Sequence, residues 1–404
     1  MSIGIVGAGT AGLHLALLLQ QRGVESTLYA ERSAEDVRGG RLTNTVVHNH
    51  RTRARERLLG VNFWDGSAPP VDGHWHSIGG EHPLDFPGYF RSPSLAVDYR
   101  LYQSKLLETF EERGGAVEVG AIGAADLERL SGRHDLLVVS TGRGDLAELF
   151  APIAGRSPFT QPARILSAGL YRGIADTGDL HHVVLSLLGP LGEIINIPMW
   201  SRDGVVEVLL FECVPGGVLE VVARTPYADD PKAHDGLVLD TIRTYAPRIA
   251  ERVDEANFGL VDPSSILQGA IVPTVRESFV RLGDGTHAIA AGDAHVVMDP
   301  VVGLGANAAS LSAFALGEAI AEGGPFDEAF CRRVDEQRLP GVLAHFDFTS
   351  FMLAPQPQLI DVIGAMSQNA ALSDDFTDNF TDPAKQVEHL ASPESTAAYI
   401  ASFT

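Results

Sequence analysis

Cysteine is almost missing from this sequence. Only Cys213 and Cys331 occur among 404 residues, too few for a disulfide framework and too far apart for a CxxC metal or redox pair. A reducing, cytoplasmic setting is the expectation. Positive charge is scarce as well: 30 Lys and Arg stand against 52 Asp and Glu, a formal net charge of −22. Binding to nucleic acid or an anionic membrane works by basic side chains releasing counterions, so neither partner is expected over most of this surface. No apolar run reaches the length of about 18 residues that marks a membrane span. Met1 leads straight into the strand-like SIGIV without a basic region, and neither a leader nor a membrane segment is expected. Internal repeats and low-complexity tracts are absent too. What is left is a chain that is 45% apolar and 20% charged, with material for two domains or a discontinuous pair. Small neutral ligands are its favoured partners.

The hydrophobic pattern opens as a β-α-β unit. Residues 2–6 are short, apolar and β-branched, residues 10–21 are apolar nearly all round, and 24–30 read as a second strand. A helix is predicted over 97–113, stopped by Gly114-Gly115, and "HDLLVVSTG" (134–142) reads as a buried strand entering a turn. Between 161 and 265 the pattern becomes β-rich, as in "VVEVLLFEC" (205–213), with one helix predicted at 232–246. "HAIAAG" (287–292) restores the first style, and helices follow near 306–322, 327–349 and 357–369. The expected fold class is α/β, with a Rossmann-like dinucleotide-binding domain made of 1–160 and 266–325. An inserted β-sheet substrate domain (161–265) and a C-terminal helical segment (326–404) complete it, and 61–95 contribute to the substrate pocket.

"GAGTAG" fits GxGxxG through Gly7, Gly9 and Gly12, which provide a tight turn, close backbone approach to a pyrophosphate and close helix-to-strand packing. Thr10 and Ala11 begin the helix whose N–H groups and dipole would face that pyrophosphate. Glu31 ends the next strand, where a ribose-binding carboxylate belongs, and Arg32 beside it is either a cofactor contact or a solvated charge. This loop alone does not separate NAD from FAD. A second Gly-rich helix entrance, "AGDAHVVMDPVVGLGANAAS" (291–310), favours FAD, which is long enough to reach both.

The residues also carry a resemblance. "GAGTAGLHLALLL" together with Gly292-Asp293 and "DPVVGLGAN" resembles the FAD-dependent aromatic hydroxylase superfamily. "RLTNTVVHN", "VDYRLYQ", "ILQGAIVP" and "SDDFTDNF" resemble the oxygenase component of two-component styrene monooxygenases, with indole monooxygenases as near relatives. The resemblance implies that Asp293 binds the ribityl chain and that the helix after Gly303 points its N-terminus at the flavin ring. It implies FAD, taken up reduced and exchangeable, with O2 as co-substrate and a separate NADH-dependent flavin reductase as diffusive partner. The expected reaction runs through a C4a-hydroperoxyflavin and epoxidises styrene-like aryl alkenes, with indole or sulfides as further substrates. The styrene-type subgroup is marked by Asn, Val, His, Tyr, His and Ser; here those positions read Asn44, Val46, His48, Val71, His74 and Ser94. Val71 departs toward the indole-type choice. Ser140-Thr141-Gly142 replaces the Ala-Asp-Gly of single-component hydroxylases, which weighs against a self-sufficient NAD(P)H-dependent enzyme.

The cofactor carries the hard chemistry, so the protein must hold the ring, exclude water and position substrate. Asn44, Gly305 and Asn307 are the candidate catalytic positions. Gly303, Gly305, Ala306 and Asn307 would start the helix that stabilises negative charge on the ring, with Pro300 shaping the turn. Arg41 and Arg100 are candidates for the pyrophosphate or ribityl region, or else form surface ion pairs. Substrate contacts are expected from Leu42, Asn44, Val46, Val71, His74, Ser94 and Gln268. Gln268 either donates to the flavin or closes a strand end, and His48 and His74 serve equally well as structural histidines. "HNH" and "HWH" supply no third and fourth ligand by spacing, and no metal is expected. A homodimer is the expected assembly. The C-terminal helices suit a lid, a dimer face or a reductase dock, and a non-enzymatic carrier of reduced FAD is the remaining alternative.

Overall fold

A computed structural model describes residues 1–142, 144–178 and 181–403. Ser2–Val6, rich in Ile and Val, is almost wholly buried, as a central parallel strand must be. It pairs in parallel with Glu25–Ala30 on one side and Leu136–Val139 on the other. Across the six-stranded sheet the order is Phe279–Arg281, His287–Ala290, Leu136–Val139, Ser2–Val6, Glu25–Ala30, Ala116–Val119. Only the edge strand Phe279–Arg281 runs antiparallel. The sheet is therefore assembled from two stretches of chain, with much of a second sheet between them.

Thr10–Gln21 is apolar nearly all round because it packs both on this sheet and on the helix Gly305–Ala321. Small residues let the two helices approach. A Cβ at Gly317 would lie 2.7 Å from Leu18 Cδ2.

The second sheet has nine strands and spreads beyond 161–265. Its path is Gly259–Leu260, Ile165–Arg172, Gly204–Cys213, Gly192–Ser201, His182–Leu187, Pro70–Ile78, Leu84–Ala96, Val47–His48, and Ile266–Ala270 also pairs with Ile165–Arg172. Pro70–Ile78 joins by a parallel pairing with His182–Leu187, whereas its neighbours in the sheet run antiparallel. Such a pairing joins segments far apart in the chain and leaves no local signature, which is why 161–265 understates the sheet.

The C-terminal helices fasten both sheets. From the long helix Glu328–Leu353, Arg338 reaches inward, 2% exposed. It donates to Ala290 O (2.7 Å), Ser312 Oγ (3.2 Å) and Ser278 O (3.3 Å). Burial brings its guanidinium down to about 10, so it stays charged at neutral pH. Ala370–Asp378 lies along the strand Leu84–Ala96: Ser373 Oγ donates to Pro87 O (2.7 Å), Asp374 accepts Tyr89 N–H (3.0 Å) and Asp378 accepts Arg91 N–H (2.9 Å). Among the described residues no helix is long and apolar enough to cross a membrane.

Arg338→Leu would leave buried carbonyls at the end of the strand leading into Gly292-Asp293 without their charged donor. A loss of about 3 kcal/mol is expected, since hydrogen bonds to charged groups are worth about 1.5–3 kcal/mol each, with Ser278 O keeping only the Ala290 N–H (2.8 Å). Urea denaturation of the variant and the parent measures it; an unchanged midpoint would contradict this role.

Candidate active site

The N-terminal loop turns sharply at Gly7, whose φ of +113° disfavours any L side chain. Gly12 is required for a different reason: a Cβ there would stand 1.9 Å from Gly7 O. At Gly9 the nearest atom to such a Cβ would be Tyr99 Oη at 3.7 Å, and Gly9, Thr10 and Ala11 line a cavity of about 680 Å³. Tyr99 Oη accepts the Thr10 N–H (3.0 Å) and lies 3.1 Å from Thr10 Oγ1. One donor of this helix start is thus already engaged by the protein.

The second Gly-rich segment reaches the same cavity, which Gly292, Asp293, Pro300, Gly303, Gly305 and Ala306 also line. Asp293 is exposed at its wall. A Cβ on Gly142 would come within 2.2 Å of Asp293 Cβ, so the Ser140–Gly142 turn packs directly behind it. Asp299 accepts Val301 N–H (3.1 Å) and shapes the turn Pro300–Val302. Gly303 then takes the left-handed conformation, φ +64°, and the helix begins at Gly305, where a Cβ would meet nothing within 4 Å. Two helix N-termini therefore open on one elongated space. These features fit FAD: an open glycine against the pyrophosphate, a carboxylate for ribityl hydroxyls, and bare backbone with a positive dipole end for the ring.

A smaller cavity of about 70 Å³ adjoins it, sharing Thr45, Leu210, Pro300 and Gly303 as walls. Val47, Phe90, Val183, Leu185, Ile195, Ile197 and Phe380 make it apolar, and His74, Ser94 and Asn307 add polarity. Burial, with neighbouring His76 and His182, holds the His74 imidazole well below its ordinary value, so it is neutral. His74 Nδ1 and Ser94 Oγ are buried with no hydrogen-bond partner, an arrangement more often met where a ligand approaches than in a finished core.

The sequence-predicted residues divide accordingly. Arg41, Asn44, Val46 and Gln268 line the larger cavity with the two glycine-rich segments, while His74 and Ser94 line the smaller one. Glu31 and Arg32 sit just past the strand Glu25–Ala30, outside the cavity lining, with Arg32 Nη1 lying over Gly40. Several others are corrected. Arg100 is not at the cavity: Asp98, two residues earlier, captures its fork (Nε–Oδ1 3.0 Å, Nη2–Oδ2 2.6 Å), and Ser264 and Ser265 take the remaining donors. Leu42 and Val71 are fully buried in the core of the second sheet, behind the cavity walls. Asn307 spends its amide internally, accepting from Asn49 N (3.0 Å) and Thr52 Oγ1 (2.8 Å) and donating to Val47 O and Gly303 O (both 3.0 Å). It ties the helix start to the 47–52 segment. Gln268 Nε2 donates to Val222 O (3.1 Å) and Thr225 O (2.9 Å), the strand-end alternative, although the residue also borders the cavity.

His48 belongs to a buried network away from both cavities. Its Nδ1 lies 2.6 Å from Glu56 Oε1, which also accepts the Tyr102 hydroxyl (2.9 Å), and Tyr102 meets His14 Nε2 at 2.6 Å. Burial would raise Glu56, but His48 and these bonds outweigh it and the carboxylate ends below its usual range. Burial takes His14 down to about 3. Among the described residues no group of three or more His, Cys, Asp or Glu could hold a metal ion.

Tyr99 and Arg276 are among the cavity residues that escaped the sequence reading. Tyr99 stood inside a quoted motif, but only the fold brings its hydroxyl to Thr10. Arg276 lines the larger cavity with Nη1 buried and unpartnered, and nothing in "VPTVRES" signals it.

Residues 142–252 match a family profile described as "Styrene monooxygenase A putative substrate binding domain". The chain is 41% identical to styrene monooxygenase StyA of Pseudomonas sp over 406 residues, covering 99% of this chain and 98% of that protein. It is likewise 41% identical to the StyA of Pseudomonas fluorescens, covering 97% and 95%. Among solved structures, the flavin-dependent brominase Bmp2 superposes with a TM-score of 0.72 at 16% identity, covering 100% of this chain and 99% of that one. Klebsiella pneumoniae HpxO complexed with FAD and uric acid gives 0.64 at 15% identity, covering 95% and 97%. The structural likeness establishes the fold, and the near-complete sequence match establishes the rest: the chain belongs to the styrene monooxygenase family.

Proposed function

We propose that this chain is the oxygenase component of a two-component, FAD-dependent styrene monooxygenase that epoxidises styrene-like aryl alkenes with O2. Reduced FAD comes from a separate NADH-dependent flavin reductase and exchanges into the larger cavity. The observation that carries this reading is the adjacency of the two cavities, which share Thr45, Leu210, Pro300 and Gly303 as walls. The apolar one opens beside the Pro300–Gly303 turn, where the flavin-facing helix starts.

Bound reduced FAD supplies two electrons for O2 activation, so that one oxygen atom passes to the alkene and the other leaves as water. The chain's own groups hold, orient and dry the site. Gly9 and Ala11 would face the pyrophosphate of bound FAD, and Asp293 would accept from its ribityl hydroxyls. The N–H groups at Gly305 and Ala306, with the dipole of a helix running to Ala321, favour negative charge on the ring edge that meets them. Asn307 has its amide engaged by protein groups and fixes that helix start by bridging Gly303 O to the 47–52 segment. A neutral His74 and the unpartnered Ser94 hydroxyl let the small cavity take an uncharged aromatic without trapping a charge. Phe90, Phe380 and the Ile and Leu side chains exclude water around it. Val71 sits behind this wall rather than on it, so its departure from the styrene-type pattern does not alter the surface the substrate meets.

Chemically reduced FAD, O2 and styrene, mixed with the purified chain and no NAD(P)H, should yield styrene oxide detectable by chromatography. Absence of epoxide would sink the proposal, and rapid NAD(P)H oxidation by the chain alone would indicate a self-sufficient hydroxylase instead.

Gly305→Val gives a sharper local check. Its Cβ would project into open space rather than into protein, so the melting temperature should barely move. FAD affinity should fall about tenfold or more, equivalent to about 1.4 kcal/mol. A variant that binds FAD like the parent would remove Gly305 from the cofactor surface.

A further inference from the structure

Behind the Pro300–Val302 turn lies an acidic cluster that the reaction does not call on. Glu193 and Glu212 stand directly opposite one another on the antiparallel strands Gly192–Ser201 and Gly204–Cys213, where like charges repel. Glu193 is neutralised: Arg164, just before the strand Ile165–Arg172, grips it through Nε–Oε2 (2.7 Å) and Nη2–Oε1 (2.8 Å). Glu212 has no such cation. It is fully buried, pairs across the ladder with Leu166 on its other side, and touches Asp299, also fully buried. Taken as carboxylates, both Glu212 oxygens and Asp299 Oδ2 lack any donor, while Asp299 Oδ1 already accepts Val301 N–H. Three orphaned anionic oxygens at the centre of a fold are too costly to persist. A proton on Glu212 turns its contact with Asp299 into a hydrogen bond and removes one of two adjacent charges.

We propose that Glu212 is protonated at neutral pH and donates to Asp299, and that this shared proton fastens the Pro300–Val302 turn, and with it the start of the Gly305–Ala321 helix, to the second sheet. Both are positioning residues. That the turn faces a flavin rests on the function proposed above; the shared proton does not.

The pH dependence follows from the surroundings. Burial pushes Glu212 well above the ordinary carboxyl range, and Asp299 and Glu193 add to it while Arg164 opposes. Burial raises Asp299 to about 6. Cys213, next along the strand, turns to Leu219 O and does not join the cluster. Raised folded values mean that the folded chain holds more protons than the unfolded one. The stability they contribute is complete below the unfolded values and is lost as pH rises through the folded ones. From about 6 upward Asp299 is ionised and Glu212 still holds the proton. At alkaline pH the proton leaves, and Glu193, Glu212 and Asp299 face one another with only Arg164 between them.

Glu212→Gln supplies an amide N–H to Asp299 at every pH and serves as the test. The wild-type apoprotein should lose melting temperature from neutral to alkaline pH, and Glu212→Gln should lose clearly less, keeping only the part that Glu207 contributes to both proteins. FAD affinity, followed by flavin fluorescence, should weaken about tenfold in the wild type over that interval and about twofold at most in the variant. Infrared difference spectra of the apoproteins should show a buried carboxylic acid band at neutral pH that Glu212→Gln abolishes. Glu207, pushed up to about 7 by burial, contributes a band of its own, so Glu207→Gln is the control and must leave the Glu212 band in place. An unchanged band in Glu212→Gln, or an alkaline loss of stability equal to the wild type's, overturns the proposal. If Glu212→Gln does not fold, the wild-type band decides: it must outlast the ionisation of Glu207 as pH rises, and its complete loss with Glu207 overturns the proposal. Failure of the wild type to bind FAD at any pH would count against the functional reading alone, because the melting and infrared results need no cofactor.

Discussion

The close packing of two helices, Thr10–Gln21 on Gly305–Ala321, is what the rest of this molecule is arranged around. Gly317 allows Leu18 to approach, and a Cβ on Gly292 would already crowd Ala11 at 3.1 Å. Because both helices are thin along this seam, two N-termini separated by most of the chain come to border a single cavity. Other features protect that juxtaposition: Arg338 holds the strand that leads into Gly292-Asp293, Asn307 holds the start of the second helix, and Tyr99 holds the start of the first. Close-packed seams of this kind have few alternative arrangements, and so the site is set by the core rather than by mobile loops.

Charge follows the same logic inside a strongly acidic chain. Several ionisable groups buried near the site are accounted for by a specific partner: Asp98 for Arg100, Arg164 for Glu193, His48 and Tyr102 for Glu56. Where no oppositely charged partner exists, as at His74 or Glu212, the group gives up its charge. The smaller cavity thus presents neutral walls to an apolar substrate, while the charged side chains Arg41, Arg276 and Asp293 border only the larger one beside the start of the Gly305–Ala321 helix.

How much of this could be read from the residues depended on range. The β-α-β opening, the Gly-Asp turn and the second glycine-rich helix entrance are local patterns, and the helix expected at 97–113 forms as Tyr99–Glu112 behind its Asp98 cap. His74 and Ser94 reach the smaller cavity from the strands Pro70–Ile78 and Leu84–Ala96, and Asn44 and Val46 reach the larger one from the irregular segment just before Val47–His48. Arg100 went astray because a guanidinium fork suits phosphate and carboxylate alike, and only the fold reveals that Asp98 claims it first. Asn307 and Gln268 show the same limit: their residue type offers donors, but the sequence cannot name the carbonyls that take them. Leu42 and Val71 were expected at a wall and lie one layer deeper, a difference no periodicity encodes. The extent of the second sheet was hidden because its added strands pair across long stretches of chain.

The C-terminal helices add one more consequence. Phe380 and Thr381, which close the small cavity, follow directly on a helix held to Leu84–Ala96 by the carboxylates of Asp374 and Asp378 and the hydroxyl of Ser373. None of these fasteners belongs to the nucleotide sheet or to either glycine-rich entrance. The aromatic end of the chamber is therefore fastened from the second sheet yet packed in one cluster with Leu304 at the start of the Gly305–Ala321 helix, so that a change of size at Phe380 reaches the chamber wall and that helix start together.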